Sequence, residues 1–167
     1  MSSHDWSMLK NLLEYKNGDL FWKVDRGSQK VQGKKAGTKL PTGHVVVRIR
    51  ELGGAIYAHR IVFYLINGYV PNMIDHVNNN PSDNRIENLR VCTRSENYMN
   101  KGAHRNSKSR IKNVYFNKRL NTWYVQLKAG GRVFYVGCLK TVEEAKAVAF
   151  ALREKHHGQF ANHGALV

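Results

Sequence analysis

The stretch Met73–Asn100, MIDHVNNNPSDNRIENLRVCTRSENYMN, decides how the rest of the chain is read. Met73–Val77 reads as a short strand. Asn78–Asn84 is dense in Asn, Asp, Ser and Pro, residues that favour turns through local side-chain bonds. Leu89–Cys92 reads as a second strand, and Thr93 with Glu96 three residues later forms a capping box that opens a helix. The order is strand, loop, strand, helix. It sets Asp75 and His76 at the end of the first strand, Asn88 before the second and Asn97 one turn into the helix. Neighbouring strand residues point to opposite faces, so Asp75 and His76 converge only where the chain bends. An aspartate and an asparagine offer few, hard oxygen donors, which suits Mg²⁺ with its retained waters. A histidine with an ordinary pKa of about 6.5 can take a proton from water near neutral pH. Metal, base and phosphate together are the minimum for hydrolysing a phosphodiester. Singly, each residue has a plainer reading: a turn aspartate, a surface histidine, an asparagine capping a strand.

The stretches IDHVNNN, NRIENLR and TRSEN, with HRIVF at His59–Phe63 upstream, resemble the HNH endonuclease family in its phage and intron homing branch. His76, Asn88 and Asn97 fall on the three positions that name the motif. The resemblance implies a ββα-metal core over residues 73–100, with Asp75 and Asn97 as ligands of one divalent ion, Mg²⁺ or Mn²⁺. It implies His76 as general base and Asn88 as the residue that fixes the loop and orients His76. Asn79 stands where the family commonly has Gly. Asn tolerates positive φ better than other non-glycine residues, so the turn is expected to survive. The leader LLEYKNGDLFWK also resembles the segment that precedes the motif in phage members.

Composition narrows the partners. The 167 residues hold 27 Lys+Arg against 12 Asp+Glu, a formal charge of +15. Such a chain attracts polyanions, nucleic acid before anionic membranes. The longest apolar run, Ile61–Ile66, is far short of the ~20 residues a membrane span needs. Met1–Asp5 has no apolar signal core. Cys92 and Cys138 lie far apart, which excludes a disulfide scaffold and a four-cysteine zinc site. A reducing, cytoplasmic location is expected, the host cytoplasm for a phage-encoded chain. The charge is uneven: Lys101–Lys140 holds ten Lys/Arg and no acid, while residues 51–100 hold four Lys/Arg and five acids.

Along the amino-terminal part, Trp6, Leu9, Leu12 and Leu13 fall at helical spacing, with Asp5 or Ser7 as cap. Leu20–Lys23 and Val45–Arg50 read as strands and residues 25–43 as a Gly-rich basic loop. Gly53–Gly54 reads as a hairpin turn, and His59–Asn67 as a buried helix ended by Gly68.

After a polar, basic linker come three short strands, Asn113–Asn117, Thr122–Lys128 and Val133–Gly137, then a helix opened by the Thr141/Glu144 capping box. Ala145, Ala147, Ala149 and Ala151 give that helix a small-residue surface for packing on a sheet. Asn113–Tyr115, Thr122–Val125, Tyr135–Gly137, Thr141–Ala145 and His157–Gly158 resemble the APETALA-two (ethylene-response-factor) DNA-binding domain. That resemblance implies a three-stranded antiparallel sheet packed on one helix, with the sheet in the major groove of DNA. Period-2 alternation turns Val114, Phe116, Trp123, Val125, Leu127, Phe134 and Val136 inward. The candidate DNA face is Tyr115, Asn117, Lys118, Arg119, Tyr124, Gln126, Lys128 and Tyr135, with Arg132 at its edge. His156, His157 and His163 lie near the end, without the cysteine pair that would favour a zinc site.

The expected fold class is therefore α+β: a ββα-metal core with an amino-terminal strand and helix extension, plus a small three-stranded antiparallel sheet on one helix. The expected domains are 1–104 (nuclease), 105–110 (linker) and 111–162 (DNA-binding). The expected function is a metal-dependent endonuclease on double-stranded DNA, with no membrane partner, acting as monomer or homodimer. One site per chain should nick, inverting at phosphorus. The rivals are a non-catalytic DNA-binding regulator on the same scaffold and an RNA-binding protein.

Overall fold

The computed structural model describes residues 6–103 and 107–164. Asp5, and residues 105 and 106 of the expected linker, lie outside them. The chain is mixed α and β, built from small antiparallel sheets, and divides into two compact units, Met1–Cys92 and Thr93–Val167.

The first unit runs α1 (Leu9–Leu12), β1 (Leu13–Lys16), β2 (Asp19–Trp22), β3 (Lys35–Ala36), β4 (Thr38–Lys39), β5 (Val45–Ile49), β6 (Gly54–Tyr57), α2 (Ala58–Asn67), β7 (Ile74–His76) and β8 (Leu89–Val91). Three sheets result: β1-β2-β3, β4-β5-β6 and β7-β8. The expected first helix is only partly present. Leu13 opens a strand, and β1 turns through Asn17–Gly18, both at positive φ, into β2. Asn-Gly is a strong hairpin signal. It outweighs four apolar residues at helical spacing, because pairing with β2 buries Leu13 without extending the helix. The basic loop is likewise not bare: β3 and β4 lie within it. Between β5 and β6 a 3₁₀ turn, Arg50–Leu52, takes the place of a simple Gly-Gly hairpin. On α2, Ala58, Ile61 and Val62 are spaced three and four apart and are buried in the core with Leu9, Leu20, Val47 and Ile49.

The second unit runs α3 (Arg94–Asn100), β9 (Val114–Asn117), β10 (Thr122–Ala129), β11 (Arg132–Leu139) and α4 (Val142–His157). The sheet order is β11-β10-β9. Both capping boxes form: Thr93 Oγ1 accepts from the Glu96 N–H, Thr141 Oγ1 from the Glu144 N–H, and each glutamate accepts from the cap backbone. Val114, Val125, Ala145 and Ala149 make the core between sheet and helix. Ala147 and Ala151 are exposed, which corrects the expected small-residue surface. Residues two apart on a helix point about 200° apart, and only the four-residue row 145, 149, 153 keeps to the sheet. The carboxy-terminal histidines are spoken for separately: His156 stacks on Phe134, His157 Nε2 lies 3.3 Å from the Lys128 carbonyl, and His163 Nε2 lies 2.5 Å from Glu154.

Candidate active site

β7 and β8 pair in the register Ile74–Val91, Asp75–Arg90 and His76–Leu89. Directly opposed residues share a sheet face, so Arg90 meets Asp75: its Nε and Nη2 donate to Oδ2 at 3.0 and 2.8 Å. Both members of this ion pair are largely withdrawn from water.

His76 points the other way and is also buried. Its Nε2 lies 3.2 Å from Asn84 Oδ1. The Asn84 Nδ2 faces the Ser82 carbonyl at 3.5 Å, which leaves the amide oxygen toward the ring. An amide oxygen only accepts, so this contact favours the neutral tautomer that carries its proton on Nε2. Burial lowers the pKa of His76, an effect opposed by the bond to Asn84 and reinforced by His44. The ring is therefore neutral at pH 7, the state a general base requires.

Two further histidines surround it. The His59 ring, at the start of α2, stands edge-on to His76 at 5.1 Å between centroids, and His44 does so at 6.1 Å. Tyr57 stacks on His59 at 5.4 Å. His59 is buried, its Nδ1 has no hydrogen-bond partner, and burial followed by the facing His76 and His44 pushes its pKa down to about 3.

The loop between the strands is held by its own amides. Asn88 Oδ1 accepts from the Asn78 N–H at 3.0 Å, and Asn88 Nδ2 donates to Asn78 Oδ1 at 3.0 Å and to the Asp83 carbonyl at 2.7 Å. Asn78 Oδ1 also accepts from the Asn80 N–H, and Asn80 Oδ1 from the Ser82 N–H, so successive Asx turns fold the segment. Arg85 donates to both Asp83 oxygens, and those bonds hold the carboxyl well below the usual carboxylate range. Asn79 sits at φ 58°, in the left-handed region, as the turn requires. The loop is pinned to the β4–β5 hairpin by Ser82 Oγ on the Gly43 carbonyl at 2.7 Å. A Cβ on Gly43 would fall 2.8 Å from Pro81 Cγ, so only glycine lets the two segments approach.

Asp75, His76 and Asn88 thus lie on one hairpin and its loop, with Asp75 turned to Arg90 and His76 to Asn84, so the two strand residues do not converge. Asn97 stands on α3, in the second unit. Among the described residues no three His, Cys, Asp or Glu side chains are grouped to hold a metal. Asp75 and Asn97 each carry the kind of oxygen donor of which a hydrated hard cation takes one or two. Three residues at this site were not assigned roles from the sequence. Asn84 was hidden among four other loop amides and acids, Asn78, Asn79, Asn80 and Asp83. His59 was visible within HRIVF but without a task. Nothing in the local sequence marks His44, which reaches the site only through the hairpin it sits on.

Of the candidate DNA-contacting residues, Tyr115, Tyr135, Gln126 and Lys128 are exposed on the outer sheet face, and Tyr124 lies between Tyr115 and Tyr135. Lys118 and Arg119 project from the β9–β10 turn and Arg132 from the β10–β11 end. Asn117 serves its own turn, its Oδ1 accepting from the Arg119 and Leu120 N–H groups at 3.0 and 3.2 Å.

Comparison with known proteins bears on this geometry. Residues 56–99, from β6 into α3, match the family model described as HNH endonuclease. Protein 3.8 of Escherichia phage T7 is 29% identical over 105 residues, covering 62% of this chain and 86% of that protein. No solved structure matches the chain. The matched segment is the one that carries Asp75, His76, Asn84 and Asn88, so the candidate site lies within the stretch that is similar to HNH endonucleases.

Proposed function

We propose that the protein is a metal-dependent DNA endonuclease, a homing-type nicking enzyme whose ββα-metal core spans residues 73–100. In this reading residues 1–104 cut, and an APETALA-two-like module at 111–162 contacts the nucleic acid through its sheet. The observation that carries it is the His76 ring, buried and held at Nε2 by Asn84, on the same strand as the buried Asp75 carboxylate.

His76 takes the proton from the attacking water. Asn84 fixes the tautomer and the tilt of the ring, while Asn88 holds the loop that carries Asn84. Asp75 and the motif's second amide, Asn97, are the residues that would hold a divalent ion. When bound, a divalent ion, Mg²⁺ or Mn²⁺, stabilises charge on the phosphate and the leaving oxygen. Arg90, hydrogen-bonded to the Asp75 carboxylate, holds that side chain in place.

Supercoiled plasmid incubated with Mg²⁺ tests the reading. The wild type should convert it to open circles, and His76→Ala should slow the conversion by at least ~10², the contribution expected of a general base. Equal nicking by both proteins removes His76 as the base. No cleavage with Mg²⁺ or Mn²⁺, with duplex binding intact, selects the non-catalytic regulator.

A further inference from the structure

The outer face of the β9–β11 sheet carries a row of tyrosines. Tyr115 and Tyr124 are direct cross-strand partners with ring centroids 5.3 Å apart and planes within 25°. Tyr124 and Tyr135 follow at 5.6 Å and 34°. Tyr115 is 43% exposed and Tyr135 60%. Large aromatic side chains left this wet on a packed sheet mark a binding surface more often than a core.

The sheet is shaped around the row. Between Trp123 and Val125 the register with β11 slips, which sets both Gly137 and Cys138 opposite Tyr124. A Cβ on Gly137 would fall 2.8 Å from Tyr135 Oη and 2.9 Å from Cε1. The phenol end of Tyr135 thus fills the space above Gly137, and the ring leans along the sheet toward Tyr124. The row extends to α3 of the same unit: Tyr98, 60% exposed, lines a cavity with Tyr115, Lys101 and Lys112.

Two chemical facts choose the occupant. The segment Lys101–Lys140, which supplies this face, has ten Lys/Arg and no acid, so the partner is an anion. Groups that read base edges in an intact duplex are Arg, Lys, Asn and Gln. Here the Asn117 oxygen is spent on its own turn and the Asn113 Nδ2 on the Gln126 carbonyl. What dominates the centre is ring surface. In a duplex each base face is covered by its neighbours, whereas in a single strand it is open to stack on an aromatic ring.

We propose that this face is a stacking platform for unpaired nucleobases, taking single-stranded nucleic acid in preference to intact duplex. The inference rests on the reading above that the carboxy-terminal module contacts nucleic acid, and it replaces a major-groove docking with a base-stacking one. Tyr115, Tyr124 and Tyr135 each offer a ring to a base. Lys118, Arg119, Lys128 and Arg132 at the margins hold phosphates.

Fluorescence anisotropy of the full chain tests it, with one labelled sequence presented as single-stranded DNA, as single-stranded RNA and as duplex DNA. Single strands should bind more tightly than duplex, and the tighter of the two single-stranded arms names the source. Tyr124→Ala and Tyr135→Ala should each weaken single-strand binding about tenfold, and Tyr135→Phe should leave it within about twofold. Gly137→Ala should reproduce part of the loss while removing no ring, with circular dichroism showing the fold retained. The tyrosine variants should leave the slope of log affinity on log salt unchanged, because stacking releases no counterions, whereas Lys128→Ala should lower it. Equal losses on duplex and single strand, or no loss on either, overturns the platform and leaves the nucleic-acid reading standing. Binding to no form overturns both.

Discussion

His59 is buried with an unpartnered Nδ1 and a pKa near 3. In the unfolded chain the same ring titrates at about 6.5. Between these values the unfolded state binds a proton that the folded state refuses, so stability falls as pH drops from 6.5 toward 3. Thermal melting of the first unit should weaken over that window, and His59→Phe, which keeps a ring there, should flatten the dependence. A dependence unchanged in His59→Phe assigns it to other groups. Asn79, at φ 58°, gives a second expectation. Asn79→Gly should be close to neutral, while Asn79→Ala should cost about 1–2 kcal/mol, the penalty of a left-handed Cβ; equal melting of the two variants would show that the loop relaxes. At this scale much could be read from residues alone. Asp75, His76 and Asn88 are set by strand–loop–strand order, and the Asn79 turn by the tolerance of asparagine for positive φ. His44 could not be read, because its place beside His76 depends on how one hairpin meets another.

Among the elements, the helix starts were legible and the small sheets were not. A capping box is written in four adjacent residues, as at Thr93–Glu96 and Thr141–Glu144, so local chemistry suffices. β3 and β4 are two residues each and owe their existence to partners in β2 and β5, which no local pattern announces. The alanine-rich helix shows the limit of composition. Ala149 packs on the sheet and Ala147 does not. Ala149→Leu should therefore cost about 1–3 kcal/mol through overpacking, and Ala147→Leu should leave the chemical-denaturation midpoint nearly unmoved. Similar effects from the two would mean that α4 is rotated from the face described.

For the whole molecule, charge is the governing quantity, and some of it is inside. Arg153 is fully buried in the second unit, its Nη1 donating to the Lys112 carbonyl at 2.5 Å, and Lys112 Nζ donates to the Met99 carbonyl. Burial, followed by the nearby Arg153, lowers the Lys112 ammonium to about 8. An unfolded lysine holds its proton to about 10.4, so over pH 8–10 the unfolded state binds more protons and folding gains stability as pH rises. The melting temperature of the wild type should climb across that window, and Lys112→Met should lose the climb. A flat wild-type profile would place the ammonium in water.

The helix α3 belongs, by its packing, to the carboxy-terminal unit: Met99 is held by Lys112, and the Asn100 carbonyl accepts from Asn162 Nδ2 at 2.5 Å. Yet α3 bears Asn97, the last letter of the motif whose first letters are on β7. In the proposed reading, a gene fusion that exchanged the tail of this protein at Cys92–Thr93 would remove a residue assigned to the ion along with the tail, so the boundary between the two compact units does not coincide with the boundary of the proposed motif.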